Sequence, residues 1–197
     1  MLDKNLLLVD IGGTNIRYAY SNIGDSDFVS ENKAELDSLN DFDSLMSELL
    51  AKSDVKNIVF SVAGPKVNNS IKMTNRNFEI DADEIRKRFN LESCYLLNDW
   101  ESIGYSIRTF SENDFDNFKE GEPFNDNFLV IGPGTGLGAS VISGNNVIAT
   151  EIGNTNLGLS ALKSLLEINS DEFNVLEDVI SGTGISRMFE TKTGNKV

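Results

Sequence analysis

Polar side chains follow an apolar run directly at Leu96–Glu101, which reads LLNDWE. The chain contains no histidine, so any proton transfer must fall to Asp, Glu, Lys, Tyr or Cys. A carboxylate at Asp99 could accept a proton from a hydroxyl group during phosphoryl transfer. The other interpretation is structural: Asn98 caps a helix, Glu101 completes a variant of the capping box, and Asp99 occupies the acidic first turn. From the residues alone, both interpretations stay open.

Two glycine turns share one pattern. The segments LVDIGGTNI (8–16) and LVIGPGTGL (129–137) each combine an apolar strand, a Gly-Thr corner and a return strand. Backbone amides at such a corner can bind a phosphate, and glycine lets the phosphate approach closely. Each turn alone is typical of an ordinary hairpin, whereas the pair favours a phosphate clamp. The match of 134–139 to GxGxxA is rejected, because that fingerprint must open a helix and a strand follows here.

Three carboxylates accompany these turns. Asp10 ends a buried strand two residues before the first turn, where it could hold Mg²⁺ or its water shell, or accept hydrogen bonds from the amides of the turn. Glu151 and Glu177 lie beside small-residue turns. Carboxylates there could accept hydrogen bonds from sugar hydroxyls, or could simply be exposed surface charges.

The elements that position these residues alternate between strand and helix patterns. Apolar runs predict buried strands in NLLLVDIGG (5–13) and VKNIVFSVAGP (55–65), and CYLLND (94–99) is predicted as a further strand. Apolar spacing of three and four predicts a helix over 42–50. Residues 111–126 are acidic and lack apolar periodicity. We therefore expect an α/β chain with a first domain at 1–110, a linker at 111–126 and a second domain at 127–197.

Composition excludes several classes of function. The chain has 197 residues, a net charge of −14 and one cysteine, Cys94. One cysteine and no histidine exclude a disulfide framework and a Cys/His zinc site. The negative net charge makes nucleic acid a poor partner. The apolar run near the N-terminus is too short for a signal peptide or a membrane span, so we expect no membrane partner and a reducing, cytoplasmic compartment.

Six segments in order resemble the bacterial glucokinase family: LVDIGGTNIRYAY, MTNRNF, LLNDWESIGYSI, VIGPGTGLGAS, EIGNTNLG and EDVISGTG. The resemblance covers nearly the whole chain. It implies the actin-like ATPase (ribonuclease H-like) fold, with an N-terminal α/β domain and a partial second α/β domain. It also implies ATP and Mg²⁺ as cofactors, glucose or a similar hexose as substrate, and a cleft in which they meet, and it allows a homodimer.

The resemblance also implies roles for individual residues. Asp99 would be the general base that takes the proton from the glucose 6-hydroxyl, and Asp10 would be the carboxylate on the magnesium side. The sugar ligands would be Asn98, Glu151, Asn154, Glu177 and Asn75. The two phosphate turns would comprise Gly12, Gly13, Thr14, Asn15, Gly134, Thr135 and Gly136.

Two departures from the family pattern define the alternatives. The family usually reads Glu-Gly-Gly-His where this chain has Ile152 and Asn154 in the second and fourth places. Family members also continue well beyond the length of this chain, so the resemblance implies a C-terminally truncated relative. The alternatives to glucose phosphorylation are a kinase for another hexose, and a sugar-binding, regulatory or degenerate protein without turnover.

Overall fold

The computed structural model describes residues 2–12, 15–35, 39–73 and 79–196. The chain forms two compact units, Met1–Ser102 and Ile103–Val197. The division into domains at 1–110 and 127–197, with a linker between them, stays a prediction. Within the described residues, no helix is long and apolar enough to cross a membrane.

Unit 1 combines strands and helices in the alternation that its sequence predicts. Its elements are β1 (Leu6–Ile11), β2 (Asn15–Ser21), β3 (Val29–Glu35), α1 (Leu39–Ala51), β4 (Asn57–Val62), β5 (Lys66–Val67), β6 (Ser70–Lys72), β7 (Glu79–Asp81), α2 (Ala82–Arg88), β8 (Ser93–Asn98) and α3 (Asp99–Ser106), which ends in unit 2. The main sheet has the order β3-β2-β1-β4-β8, and β5, β6 and β7 form a small second sheet.

Parallel pairing brings the carboxyl ends of three strands to one edge of the main sheet. Strand β1 pairs parallel with β4, and β4 pairs parallel with β8. In this register Ile11 lies opposite Val62, and Val62 lies opposite Asn98. The first glycine turn and the start of α3 therefore leave the sheet at the same edge, which is where open α/β sheets hold their ligands.

The core of unit 1 lies on one face of this sheet. Helix α1 buries Phe42, Met46 and Leu49 at the predicted helical spacing, and the ring of Phe42 lies 6.0 Å from that of Phe60. Strand β1 buries alternate residues completely and leaves the others half-buried, although its continuous apolar run predicts burial on both faces. The half-buried face lines a groove of about 350 Å³ that includes Leu8 and Asp10.

Unit 2 begins with strands in the same spatial order as unit 1. Its elements are β9 (Asn127–Pro133), β10 (Leu137–Ser143), β11 (Asn146–Thr150), α4 (Leu159–Leu165), α5 (Glu177–Ile180) and α6 (Gly182–Thr193). The sheet order β11-β10-β9 matches β3-β2-β1, and in both units a glycine turn joins the first two strands. Strand β9 lies at the edge of its sheet and exposes Phe128, Leu129 and Ile131.

Two segments differ from the sequence-based expectation. Strand β3 has the polar sequence VSENKAE, and no apolar alternation marks it, because it is an edge strand. The segment NVLEDVISGTG (174–184), whose pattern is that of a strand or loop followed by a glycine turn, contains the short helix α5 instead. The glycines there serve close packing, because a Cβ atom on Gly184 would lie 2.4 Å from the carbonyl oxygen of Asp178.

The carboxylate of Asp178, in α5, binds backbone amides of the segment just before this helix. Its Oδ2 accepts hydrogen bonds from the backbone N–H groups of Asn174 (2.8 Å) and Val175 (3.1 Å), and its Oδ1 lies 3.3 Å from Nη1 of Arg187. The hydrogen bond from the Asn174 amide, aided by the other two partners, holds the pKa of Asp178 below its ordinary value.

The Asp178→Asn variant tests this link. Because the pKa is lowered in the folded state, ionised Asp178 stabilises the fold above its ordinary pKa of 3.8, and this contribution disappears as the pH falls through the folded-state value. We expect the variant to lose about 1 kcal/mol of unfolding free energy at pH 7, and to lose less at about pH 3. Urea titration at both pH values measures the difference. The exposed Asp116→Asn is the control, and an equal loss at both pH values would contradict the assignment.

Cys94 supplies a second prediction. It lies buried in β8, and burial raises the pKa of its thiol to about 12. Because the thiolate is the reactive form, we expect the native chain to resist a thiol reagent at mildly alkaline pH and to release one equivalent of reaction in concentrated guanidinium. Ellman's reagent measures both states. Rapid labelling of the native chain would show that β8 is not packed as described.

Candidate active site

A capping box joins β8 to α3. Oδ1 of Asn98 accepts hydrogen bonds from the amides of Trp100 (2.9 Å) and Glu101 (3.3 Å), and Oε2 of Glu101 accepts one from the amide of Asn98 (3.2 Å). The predicted cap is thus confirmed. It places Asp99 in the first turn of α3, where the positive end of the helix dipole favours a carboxylate.

Both the oxygen and the nitrogen of the Asn98 side chain make hydrogen bonds within the protein. Besides capping α3, its Nδ2 donates to the carbonyl oxygen of Gly64 at 2.8 Å. A side-chain amide carries two N–H groups, and among the described residues the second N–H of Asn98 donates to no protein acceptor. The predicted role of Asn98 as a sugar ligand therefore requires only that second hydrogen.

Lys66 compensates the buried charge of the capping box. Its Nζ lies 2.6 Å from Oε2 of Glu101 and also donates to the carbonyl oxygen of Leu96 at 3.3 Å. Glu101 is only 8% exposed, and a carboxylate so buried is costly without a paired cation. Nothing in the sequence marks Lys66 as this partner, since 35 residues separate it from Glu101.

Asp10 has contacts across the sheet. Its Oδ1 accepts a hydrogen bond from Oγ of Ser61 at 3.2 Å, and its Oδ2 lies 3.3 Å from Nη1 of Arg17. These two contacts go to the neighbouring strands β4 and β2. The amides of Gly13 and Thr14 lie outside the described residues, so the alternative of hydrogen bonds from the glycine turn to Asp10 stays untested. About half of the Asp10 side chain remains exposed, so its carboxylate is accessible to a cation.

These residues fit a magnesium ion only together with phosphates. Within the described ranges, no group of three or more His, Cys, Asp and Glu side chains could hold a metal ion. Mg²⁺ usually keeps several waters and takes one or two carboxylates plus substrate phosphates. Asp10 suits that arrangement as a single carboxylate. The guanidinium of Arg17 would compete with Mg²⁺ for this carboxylate.

The first glycine turn is described only in part. The amide of Gly12 donates to the carbonyl oxygen of Asn15 at 3.0 Å, which closes the turn between β1 and β2. Gly13, Thr14 and Asn75 lie outside the described residues, so their predicted roles stay predictions.

Glu177 closes the second glycine turn. Its Oε2 accepts a hydrogen bond from the amide of Leu137 at 2.8 Å, and a Cβ atom on Gly136 would lie only 2.6 Å from the same oxygen. Glu177 is thus half-buried against the turn and is not the solvated surface charge that one interpretation allowed. The turn is also held from α6, because the amide of Gly182 donates to the carbonyl oxygen of Gly134 at 2.7 Å.

Glu151 precedes a single 3-10 turn, Ile152–Asn154, and Asn154 is its last residue. Nδ2 of Asn154 donates to Oε2 of Glu151 at 3.1 Å, and both side chains are exposed. Gly153 between them is buried, and a Cβ atom there would lie 2.6 Å from the carbonyl oxygen of Leu137 and 3.4 Å from Oε2 of Glu177. The bare backbone of Gly153 therefore packs this segment against the second glycine turn.

The predicted site residues form two groups, one in each unit. In unit 1 the sheet edge collects Asp10, Gly12, Asn98 and Asp99. In unit 2 the second glycine turn, Glu177 and the segment Glu151–Asn154 come together.

Substituting Gly153 tests the packing of the second group. In Gly153→Ala the new methyl group must displace backbone of the second turn, so we expect a loss of about 1–3 kcal/mol of unfolding free energy and weaker sugar binding. Gly121→Ala is the control, because nothing lies within 4 Å of a Cβ atom there. Urea unfolding and calorimetric glucose titration measure the two effects. Native-like values for Gly153→Ala would refute the contact.

Comparison with known proteins identifies the family. The family model described as Glucokinase matches residues 7–196. A glucokinase of Nostoc punctiforme is 29% identical over 202 residues, which cover 94% of this chain and 59% of that protein. The chain thus spans about three fifths of the length of the curated relatives that match 94% of it.

Solved structures agree with this match. The crystal structure of glucokinase from an Antarctic psychrotroph is 25% identical, with a TM-score of 0.72 over all of this chain and 67% of that one. The structure of a ROK family glucokinase from Streptomyces griseus, in complex with glucose and AMPPNP, is 20% identical and has a TM-score of 0.62, covering 96% of this chain and 62% of that one. The chain therefore belongs to the glucokinase family and has its actin-like ATPase fold.

Proposed function

We propose that this chain serves the ATP-dependent phosphorylation of glucose at the 6-hydroxyl. The observation that carries the proposal is the position of Asp99, which opens α3 at the sheet edge that also bears the first glycine turn. A base and a phosphate turn at one edge are what phosphoryl transfer to a hydroxyl requires. Membership of the glucokinase family, and the glucose and AMPPNP bound to the Streptomyces griseus protein, support the same substrates here.

Asp99 is assigned the role of general base. It would take the proton of the sugar 6-hydroxyl as that oxygen bonds to the γ-phosphorus of ATP and the bond from the γ-phosphorus to the ADP oxygen breaks. The products are glucose 6-phosphate, ADP and a proton held on Asp99, so atoms and charge balance. Mg²⁺ bound to ATP would neutralise phosphate charge, and Asp10 is the residue of this chain that would hold it.

Neutral donors matter for the phosphates because the chain is strongly acidic. A net charge of −14 repels ATP at long range, so binding depends on local N–H groups such as those of Thr135 and Gly136 in the turn Gly134–Gly136. The remaining oxygens of Glu151 and Glu177 and the second amide hydrogen of Asn98 would hold the sugar hydroxyls. Asn75 keeps its assignment as a further sugar ligand.

Asn154 motivates the alternative of a different hexose. Its amide already donates to Glu151, so the donor that it would present to a sugar is partly committed. A panel of hexoses in a spectrophotometric kinase assay separates glucose from its rivals. We assign the reaction to the cytoplasm, which the free and buried Cys94 suits, and a homodimer stays a prediction from the resemblance.

The decisive variant is Asp99→Asn. It removes the base while keeping the size of the side chain, so we expect turnover to fall by about 10²–10⁴-fold with the glucose dissociation constant nearly unchanged. A coupled assay for glucose 6-phosphate measures turnover, and calorimetry measures binding. Asp126→Asn, an exposed change in unit 2, is the control and should match the native chain.

Two outcomes would contradict the proposal. Near-native turnover in Asp99→Asn would refute the assigned base. Glucose binding by the native chain without glucose 6-phosphate formation would favour a sugar-binding protein without turnover.

A further inference from the structure

The start of α6 donates hydrogen bonds to two carbonyl oxygens of the second glycine turn. The amide of Gly182 donates to the carbonyl oxygen of Gly134 at 2.7 Å, and Oγ1 of Thr183 donates to that of Thr135 at 2.9 Å. The first turn of α6, which carries both donors, is itself held in place. Ser181 is buried, and its Oγ accepts a hydrogen bond from the Gly184 amide at 2.9 Å.

Close packing leaves the turn little freedom to move away from α6. A Cβ atom on Gly182 would lie 3.0 Å from the carbonyl oxygen of Gly134, and one on Gly136 would lie 2.6 Å from Oε2 of Glu177. The amide of Leu137, which follows the turn, is bound by the same Glu177 oxygen. The turn is therefore fixed at its carbonyl oxygens and at its exit.

Fixing a carbonyl group also fixes the amide of the next residue. The peptide unit is planar and trans, so its C=O and N–H bonds point in opposite directions. The contact to the carbonyl oxygen of Gly134 thus orients the N–H of Thr135, and the contact to that of Thr135 orients the N–H of Gly136. In the part of the chain that the structure describes, neither of these two N–H groups donates to a protein acceptor.

We propose that Thr183 is a positioning residue that aims the amides of Thr135 and Gly136 at the phosphates of the phosphoryl donor. The proposal rests on the proposed function, because it names how the phosphate turn of that site is preorganised. Donors held in place before binding need no reorganisation when the anion arrives, which strengthens their effect. In this role the hydroxyl of Thr183 acts through the backbone of the turn, because it donates to the carbonyl oxygen of Thr135.

Titration of the ¹⁵N-labelled 197-residue chain with inorganic tripolyphosphate tests the proposal by NMR. We expect the amide resonances of Thr135 and Gly136 to shift saturably in the native chain. Thr183→Val keeps the shape of the side chain but removes the donor, so its tripolyphosphate dissociation constant should rise about fivefold to tenfold. Thr183→Ser should restore native affinity, because it restores the hydroxyl.

A matched control lies on the same helix. Oγ1 of Thr191 donates to the carbonyl oxygen of Arg187 within α6, so Thr191→Val removes a comparable hydrogen bond without touching the turn and should bind normally. Gly182→Ala provides a second variant, because its methyl group must push the Gly134 carbonyl away. It should shift the Thr135 resonance in the free chain and weaken tripolyphosphate binding.

Three results would overturn the proposal: unchanged affinity in Thr183→Val, equal weakening in Thr191→Val, or no shift of the Thr135 and Gly136 amides in the native chain. This readout does not depend on turnover. If the native chain binds tripolyphosphate through these amides and Thr183→Val weakens it, the positioning role is supported even where no glucose 6-phosphate forms. A failure to form glucose 6-phosphate would count against the kinase proposal alone.

Discussion

The parallel pairing of β1, β4 and β8 is the constraint on which the site in unit 1 depends. Because Ile11, Val62 and Asn98 share one level of the sheet, a turn and a helix from distant parts of the sequence begin at the same edge. A shift of one residue in this register would turn every side chain of a strand to the opposite face. Buried residues such as Leu7 and Ile58 oppose that shift, so hydrophobic packing indirectly determines where the chemistry can take place.

Several side chains in this fold both build the backbone and remain available to a ligand. Asn98 caps α3 and donates to the carbonyl oxygen of Gly64, and its second amide hydrogen donates to no acceptor among the described residues. Glu177 uses Oε2 on the amide of Leu137 and retains a second carboxylate oxygen. Binding groups that are already held by structural hydrogen bonds lose little freedom when a substrate arrives. The helix-cap and catalytic interpretations of the segment LLNDWE are therefore compatible, with Asn98 and Glu101 forming the cap around Asp99.

Local patterns predicted the elements better than they predicted the contacts. Apolar runs and helical spacing marked β1, β8 and α1, and the order of the glycine motifs marked the family. Strand β3 gave no such signal, because an exposed edge strand needs no apolar alternation. The partners of Asp10 and Glu101 could not be predicted, since Ser61 lies 51 residues away and Lys66 lies 35 residues away, and only the sheet register and the folded chain bring them close. The contact between Thr183 and Thr135 likewise spans 48 residues.

The exposed edge of β9 has a consequence for how this polypeptide behaves in concentrated solution. In the described part of unit 2, β9 is the outermost strand, and it presents Phe128, Leu129 and Ile131 beside an unpaired row of backbone donors and acceptors. Such a strand is a template for intermolecular β-pairing, and natural proteins usually blunt it with charge or proline or cover it. Here the proline, Pro133, comes only at the end of the strand. Colloidal stability therefore relies on the repulsion between strongly acidic chains, and added salt, which screens that repulsion, favours aggregation through β9.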